Sequence, residues 1–295
     1  MISLITYLIN GISLGSVYAI IALGYTMVYG IAKMLNFAHG DVIMVGSFTV
    51  FWGISMQGFN PVLSVLLSIA LCITLGITIE FIAYRPLRGA ASSLVVLITA
   101  IGVSYFLQNI ALLIFGANTK SFTSLINFGP VRLFEGQIII SGETIATIIT
   151  CLIIMVCLTL FIKKTKPGQA MLAVSEDKGA AQLMGINVNG TITLTFAIGS
   201  GLAAIAGILL CSAYPSLSPY TGSMPGIKAF IAAVFGGIGS IPGALIGGIL
   251  LGVIEILGRA YISSQMADVI VFMVLIIVLL VKPTGILGRK LQEKV

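Results

Sequence analysis

Apolar positions along this chain fall into long unbroken runs, with neither the alternation of a half-buried strand nor the one-sided stripe of a surface helix. The runs cover about 2–31, 37–56, 60–83, 93–115, 138–162, 192–213, a glycine-broken stretch 227–258, and 266–281. One hydrocarbon-spanning helix needs about 20 apolar residues. A membrane β-barrel would show alternating segments of about ten residues, which these runs do not. The pattern predicts an all-α integral membrane protein of about eight transmembrane helices, with a Gly-broken helical hairpin in the C-terminal half and one membrane domain over 1–295.

Composition agrees. Hydrophobic residues make up 58% of the 295 and charged residues 8%, against roughly one-quarter charged in a soluble domain. The start is apolar from Ile2 and the first lysine is Lys33, so these residues are expected to form the first helix and not a cleaved signal. Cys72, Cys151, Cys157 and Cys211 lie inside apolar runs without a CxxC pair, which predicts buried thiols, no disulfide framework and no metal site.

The net charge of +6 matters by its placement. Lys163, Lys164, Lys166 and Lys178 occupy the loop 163–190, Arg85 and Arg88 the loop 84–92, and Lys282, Arg289, Lys290 and Lys294 the tail. The positive-inside rule makes these segments cytoplasmic. Counting back puts the N-terminus outside and Lys33 inside. The count closes only if 227–258 leaves and returns to the outer face, as a short helical hairpin or two thin crossings.

The loop 163–190 reads as carrying a short helix. Ser175 suits its N-cap, Glu176 and Asp177 its first turn, and Gly185 its left-handed end. Ala180, Leu183 and Met184 fall on one apolar face, with Ala181 beside them. A helix of about nine residues is roughly 13 Å long and needs something to pack on. Its own membrane helices and a cytoplasmic partner are both open.

In "FGGIGSIPGALIGGILLG" (235–252), Gly236, Gly237, Gly239, Ser240 and Pro242 interrupt an apolar run. Such breaks at membrane depth are tolerated where backbone is buried in protein or lines a polar cavity. GALIG (243–247) and GILLG (248–252) instead match the close-packing GxxxG pattern.

The stretch "LNFAHGDVIMVGSF" (35–48) holds the single histidine of the chain, His39, beside Asp41, one of nine acidic residues. Asn36 can cap the following helix and Asp41 can sit at its positive end, with His39 snorkelling to the interface. Ionisable residues near membrane helices are costly and face a cavity or the bundle interior, so a gate or pathway role competes with capping.

Two rival classes meet this chain poorly. "GISLG" (11–15) matches GxSxG, but Ser13 lies inside an apolar run and lacks the strand-to-helix turn a nucleophile needs. An ion-coupled carrier holds acids at mid-membrane, whereas Glu80, Glu143, Glu255 and Asp268 fall near segment ends. No GxxxxGK[ST] is present, so no P-loop binds ATP here.

"NGISLGSVYAIIALGYTMVYG" (10–30), the 35–48 stretch, "SEDKGAAQLMGINV" (175–188) and "FGGIGSIPGALIGG" (235–248) together resemble the permeases of branched-chain amino-acid ABC importers, of the H type. The resemblance spans essentially the whole chain; permeases for urea or short-chain amides are near relatives. It implies a non-enzymatic half of a heterodimeric channel in the inner membrane, without cofactor or metal. The implied partners are an M-type permease, two cytoplasmic ATP-binding subunits, a periplasmic or lipid-anchored binding protein and membrane lipid, with no nucleic acid. By position, Ser175, Glu176, Asp177, Ala180, Ala181, Leu183, Met184 and Gly185 would form the coupling helix. Asn36, His39, Asp41 and the 236–242 break would belong to the translocation pathway.

Overall fold

A computed structural model describes residues 2–88, 93–126, 129–133, 137–282 and 284–288. The helices are α1 (Ile2–Ala32), α2 (His39–Phe51), α3 (Pro61–Ile79), α4 (Ser93–Phe115), α5 (Gly142–Lys164), α6 (Lys166–Glu176), α7 (Lys178–Leu183), α8 (Val188–Ala213), α9 (Ser223–Gly236), α10 (Ile241–Tyr261) and α11 (Ala267–Val281). Two continue as π-helical turns, α2 through Trp52–Met56 and α3 through Glu80–Tyr84. Six spans are long and apolar enough to cross a membrane, and α9 and α11 are shorter apolar helices. The expected apolar runs thus lie in helices, with ends moved by up to four residues, 138–140 in a short strand and 227–258 split between α9 and α10. Two antiparallel pairs of short strands, Lys120–Ser121 with Ser216–Leu217 and Val131–Leu133 with Ile138–Ile140, lie in the connections.

Helix ends follow local chemistry. Asn60 accepts from the Val62 amide with Pro61 in the first turn, and Ser141 accepts from the Thr144 amide. Such caps satisfy amides that a helix leaves unpaired. Lys163 and Lys164 fall in the last turn of α5, where the helix dipole favours cations.

α1 and α8 form the centre of the bundle. α10 lies along α1 with backbones in contact, and Gly11 and Gly15 face Val253 and Ile249 while Gly248 faces Ala19. These glycines are therefore packing glycines, as the GxxxG spacing predicts, and "GISLG" is part of that seam. α3 lies along α8 in the same manner, with Gly76 against Ser200 and Phe196.

One end of the bundle carries the ends of α1 and α3, the helices α6 and α7, the start of α8 and the α9–α10 turn; we call it the basic end. There Lys178 donates to the Ala32 carbonyl and Arg88 to Asn189. The opposite end brings Tyr7 against Tyr261, 5.9 Å between ring centroids. Arg289, Lys290 and Lys294 of the basic tail lie outside the described residues.

Candidate functional site

Residues 33–38 do not form the short loop that usually joins antiparallel helices. Lys33 has φ +58°, reversing the chain after α1, and Met34, Asn36 and Ala38 then run back buried beside α1. α2 begins with His39 against Tyr25, seven residues short of the end of α1, a climb of about 10 Å at 1.5 Å per residue. α9 begins at the same depth. A side chain on Gly40 would meet the Gly222 carbonyl at 2.6 Å, and one on Gly226 would meet the Gly40 Cα at 3.0 Å. Two interrupted helices therefore start where their backbones touch, and irregular backbone at this depth persists because protein surrounds it.

Asn36 is not a helix cap. The N-cap of α2 is Ala38 without a side-chain bond, while Asn36 accepts from the Tyr84 hydroxyl at 3.0 Å. An aromatic hydroxyl on a neighbouring helix outcompeted the local amides. His39 does not snorkel. Its ring is 1% exposed and packs on Tyr25 at 4.6 Å between centroids, because Gly24 leaves the room. Its Nε2 has no hydrogen-bond partner among the described residues. Asp41 is 2% exposed and accepts from Gln108 Nε2 at 2.8 Å. The same amide nitrogen stands 3.2 Å from Ser104 Oγ and 3.4 Å from Ser223 Oγ, so α2, α4 and the start of α9 share one polar cluster.

The 236–242 break is a turn at the basic end. Gly237 and Gly239 take φ +105° and +92°, where a side chain is strained, and Ser240 caps α10 by accepting from Gly243 with Pro242 in the first turn. Ile286 and Leu287 of the tail donate to the Phe235 and Gly236 carbonyls. α9 and α10 thus make the expected hairpin, with arms of 14 and 21 residues.

Tyr25, Tyr29, Met34, Leu35, Asn36, Phe230, Ala233 and Ile238 enclose a gap of ≈ 10 Å³, room for about one water. Asn36 lines it. His39 and Asp41 lie deeper, and from the 236–242 break Ile238 joins the lining, while the Gly239 Cα lies 3.3 Å from where a side chain on Gly30 would begin. The gap aromatics Tyr25, Tyr29 and Phe230 were missed from sequence, where they read as ordinary apolar residues.

The loop 163–190 holds two helices where one was expected. Ser175 is not an N-cap; it lies in the last turn of α6 and donates to the Leu172 carbonyl. Asp177 caps the next helix, accepting from the Ala180 amide, because the chain turns extended at Asp177 and not at Ser175. Thr165 and Pro167 start α6, a signal legible in "KTKPG". Gly185 has φ +81°, as predicted. Leu183 and Met184 are 90% and 83% exposed, Ala180 is exposed too, and Ala181 turns inward at 4%. Burial, with Arg88 and Lys33 nearby, holds the Lys178 ammonium below the usual lysine range.

Glu80 and Glu255 are each held by cations. Glu80, 0% exposed, accepts from Arg85, Arg88 and Thr193. Glu255, also 0% exposed, accepts from Lys228 at 2.8 Å, from Tyr18 at 2.9 Å and from Arg259. Lys228 also reaches Asp268 at 2.6 Å. No cluster of three metal-ligating side chains occurs among the described residues.

Residues 7–279 match the family described as branched-chain amino acid transport system / permease component. The high-affinity branched-chain amino acid transport system permease protein BraD of Pseudomonas aeruginosa is 47% identical over 298 residues, covering 98% of this chain and 97% of that protein. LivH of Escherichia coli K12, described in the same words, is 47% identical over 97% of this chain and 96% of its own. A probable LivH of Methanocaldococcus jannaschii is 29% identical over 91% and 88%.

Proposed function

Since this chain belongs to the branched-chain amino acid transport system permease family, we propose that it is the H-type permease subunit of an ABC importer that carries leucine, isoleucine or valine across the inner membrane. The observation that carries this reading is 47% identity over nearly the full length of BraD and LivH. The chain is a non-catalytic transport subunit. An M-type permease completes the channel, two cytoplasmic ATP-binding subunits supply hydrolysis, and a periplasmic or lipid-anchored binding protein delivers the amino acid.

In this reading the basic end is cytoplasmic and the N-terminus lies outside, following the lysines and arginines of 84–92 and 163–190. The gap at Asn36 is then the inner exit, closed in this state, with His39 and Asp41 deeper along the path. The exposed Leu183 and Met184 present a face that a helix-in-groove contact on an ATPase can take. The cycle is alternating access, and each ligand biases it only by its differential affinity for the two states. Glu80, Glu255 and Lys228 are already neutralised by partners, leaving few charges for a zwitterion, so selectivity rests largely with the binding protein.

Affinity purification of the tagged chain from native membranes, with mass spectrometry of the co-purified proteins, tests the assembly. Two P-loop ATPases and a second permease are expected; a lone protein or homo-oligomer, under conditions that preserve an ABC importer, overturns the reading. Uptake by the reconstituted complex then ranks leucine, isoleucine and valine against urea and short amides.

A further inference from the structure

The segment 33–38, buried at Met34, Asn36 and Ala38, is tethered from two sides, and both tethers lead to the loop 163–190. On one side Lys178, the first residue of α7, donates to the Ala32 carbonyl at 2.9 Å. That carbonyl ends α1 and has no partner within its helix. On the other side the Tyr84 hydroxyl donates to Asn36 Oδ1 at 3.0 Å and stands 3.5 Å from the Leu35 carbonyl. Tyr84 is 0% exposed and its ring packs on Phe196 of α8.

Tyr84 closes the π-helical turn Glu80–Tyr84, a local rewinding often found at functional positions. The first residue of that turn, Glu80, accepts from Thr193 Oγ1 at 2.7 Å. Arg88, just beyond the turn, donates to Asn189 Oδ1 as well as to Glu80. Asn189 and Thr193 occupy the first two turns of α8, which starts where the loop ends. A displacement of α6 and α7 therefore reaches Ala32 through Lys178, and reaches Asn36 through the start of α8, Glu80 and Tyr84.

The segment between is suited to follow. No backbone acceptor among the described residues pairs with the amides of 34–38, so side-chain tethers and packing position it, without a helical ladder. Met34, Leu35 and Asn36 form one wall of the closed gap. We propose that Tyr84 and Lys178 are positioning residues that transmit movement of the 163–190 loop to the segment 33–38 and thereby set the width of the gap. The proposal rests on the reading of that loop as the ATPase-docking element.

The test uses the complete importer in proteoliposomes, measuring amino-acid uptake per ATP hydrolysed. Tyr84→Phe removes one hydroxyl and keeps the ring; Lys178→Met removes the cation and keeps the stem. Each is expected to retain the ATPase subunits and their hydrolysis while uptake per ATP falls roughly threefold to tenfold, the shift one hydrogen bond can make. Lys178→Arg, which keeps a charged donor, is expected to recover most of the ratio.

An unchanged ratio in both variants overturns the relay. So does a loss of uptake and hydrolysis in proportion, which marks a structural role. If Tyr84→Phe fails to assemble, the Lys178→Met and Lys178→Arg pair decides. Docking is read separately: if Leu183→Asp leaves ATPase co-purification unchanged, the docking reading itself fails, and the relay with it.

Discussion

Gly24 and His39 occupy one another's space. A side chain on Gly24 would begin 2.6 Å from His39 Nε2, and that room lets a polar ring lie buried on Tyr25 at the start of an interrupted helix. Gly24→Ala is therefore expected to destabilise the protein by about 1–3 kcal/mol through overpacking. Gly24→Ala with His39→Ala is expected to cost less than the sum of the two single changes. Thermal unfolding of the four detergent-purified proteins checks this, and additive losses would show that the two do not share the site.

Asp41 and Gln108 form the second relationship at that depth. Gln108→Glu sets a carboxylate against Asp41 and should reduce uptake about tenfold or more, since like charges placed together inside a protein are unfavourable. Combining it with Asp41→Asn restores one donor and one acceptor and should recover part of the loss. Uptake normalised to assembled complex is the measurement; no recovery would mean that the carboxylate must stay on α2.

His39→Ala and Asp41→Asn alone are expected to impair uptake while leaving assembly intact. Unchanged transport in both would remove the polar cluster from the pathway.

The cluster of Lys228, Glu255, Arg259 and Asp268 locks α9 to α10 and α11. Lys228→Met strips Glu255 and Asp268 of a buried cation and should cost about 3–5 kcal/mol, whereas Lys228→Met with Glu255→Met should cost markedly less. Urea or thermal unfolding in detergent reads both. Equal losses would indicate that the ion pair is not what holds the short helix.

Leu183→Asp and Met184→Asp put charge on an exposed apolar face without touching the core. Retained stability with at least tenfold weaker ATPase co-purification is expected, the size of loss typical of a central contact residue. Undiminished co-purification would assign that face to lipid or solvent.

The helices, their approximate ends, the α9–α10 hairpin and the packing role of 243–252 were legible in the sequence. In hydrocarbon every backbone group must bond within its own segment, so apolar length alone implies a helix, while Gly237, Gly239, Ser240 and Pro242 carry turn chemistry locally. What only the tertiary structure decided was which polar groups meet. Asn36, for which a cap and a pathway role were both open in the sequence, binds Tyr84, 48 residues away; Ser175, which suits a cap, lies inside α6; Lys178 reaches α1 across 146 residues. A helix apolar on all sides shows no stripe to tell its inner face from its lipid face. Its few hydroxyls, amides and charges find partners only once the neighbouring helices are in place.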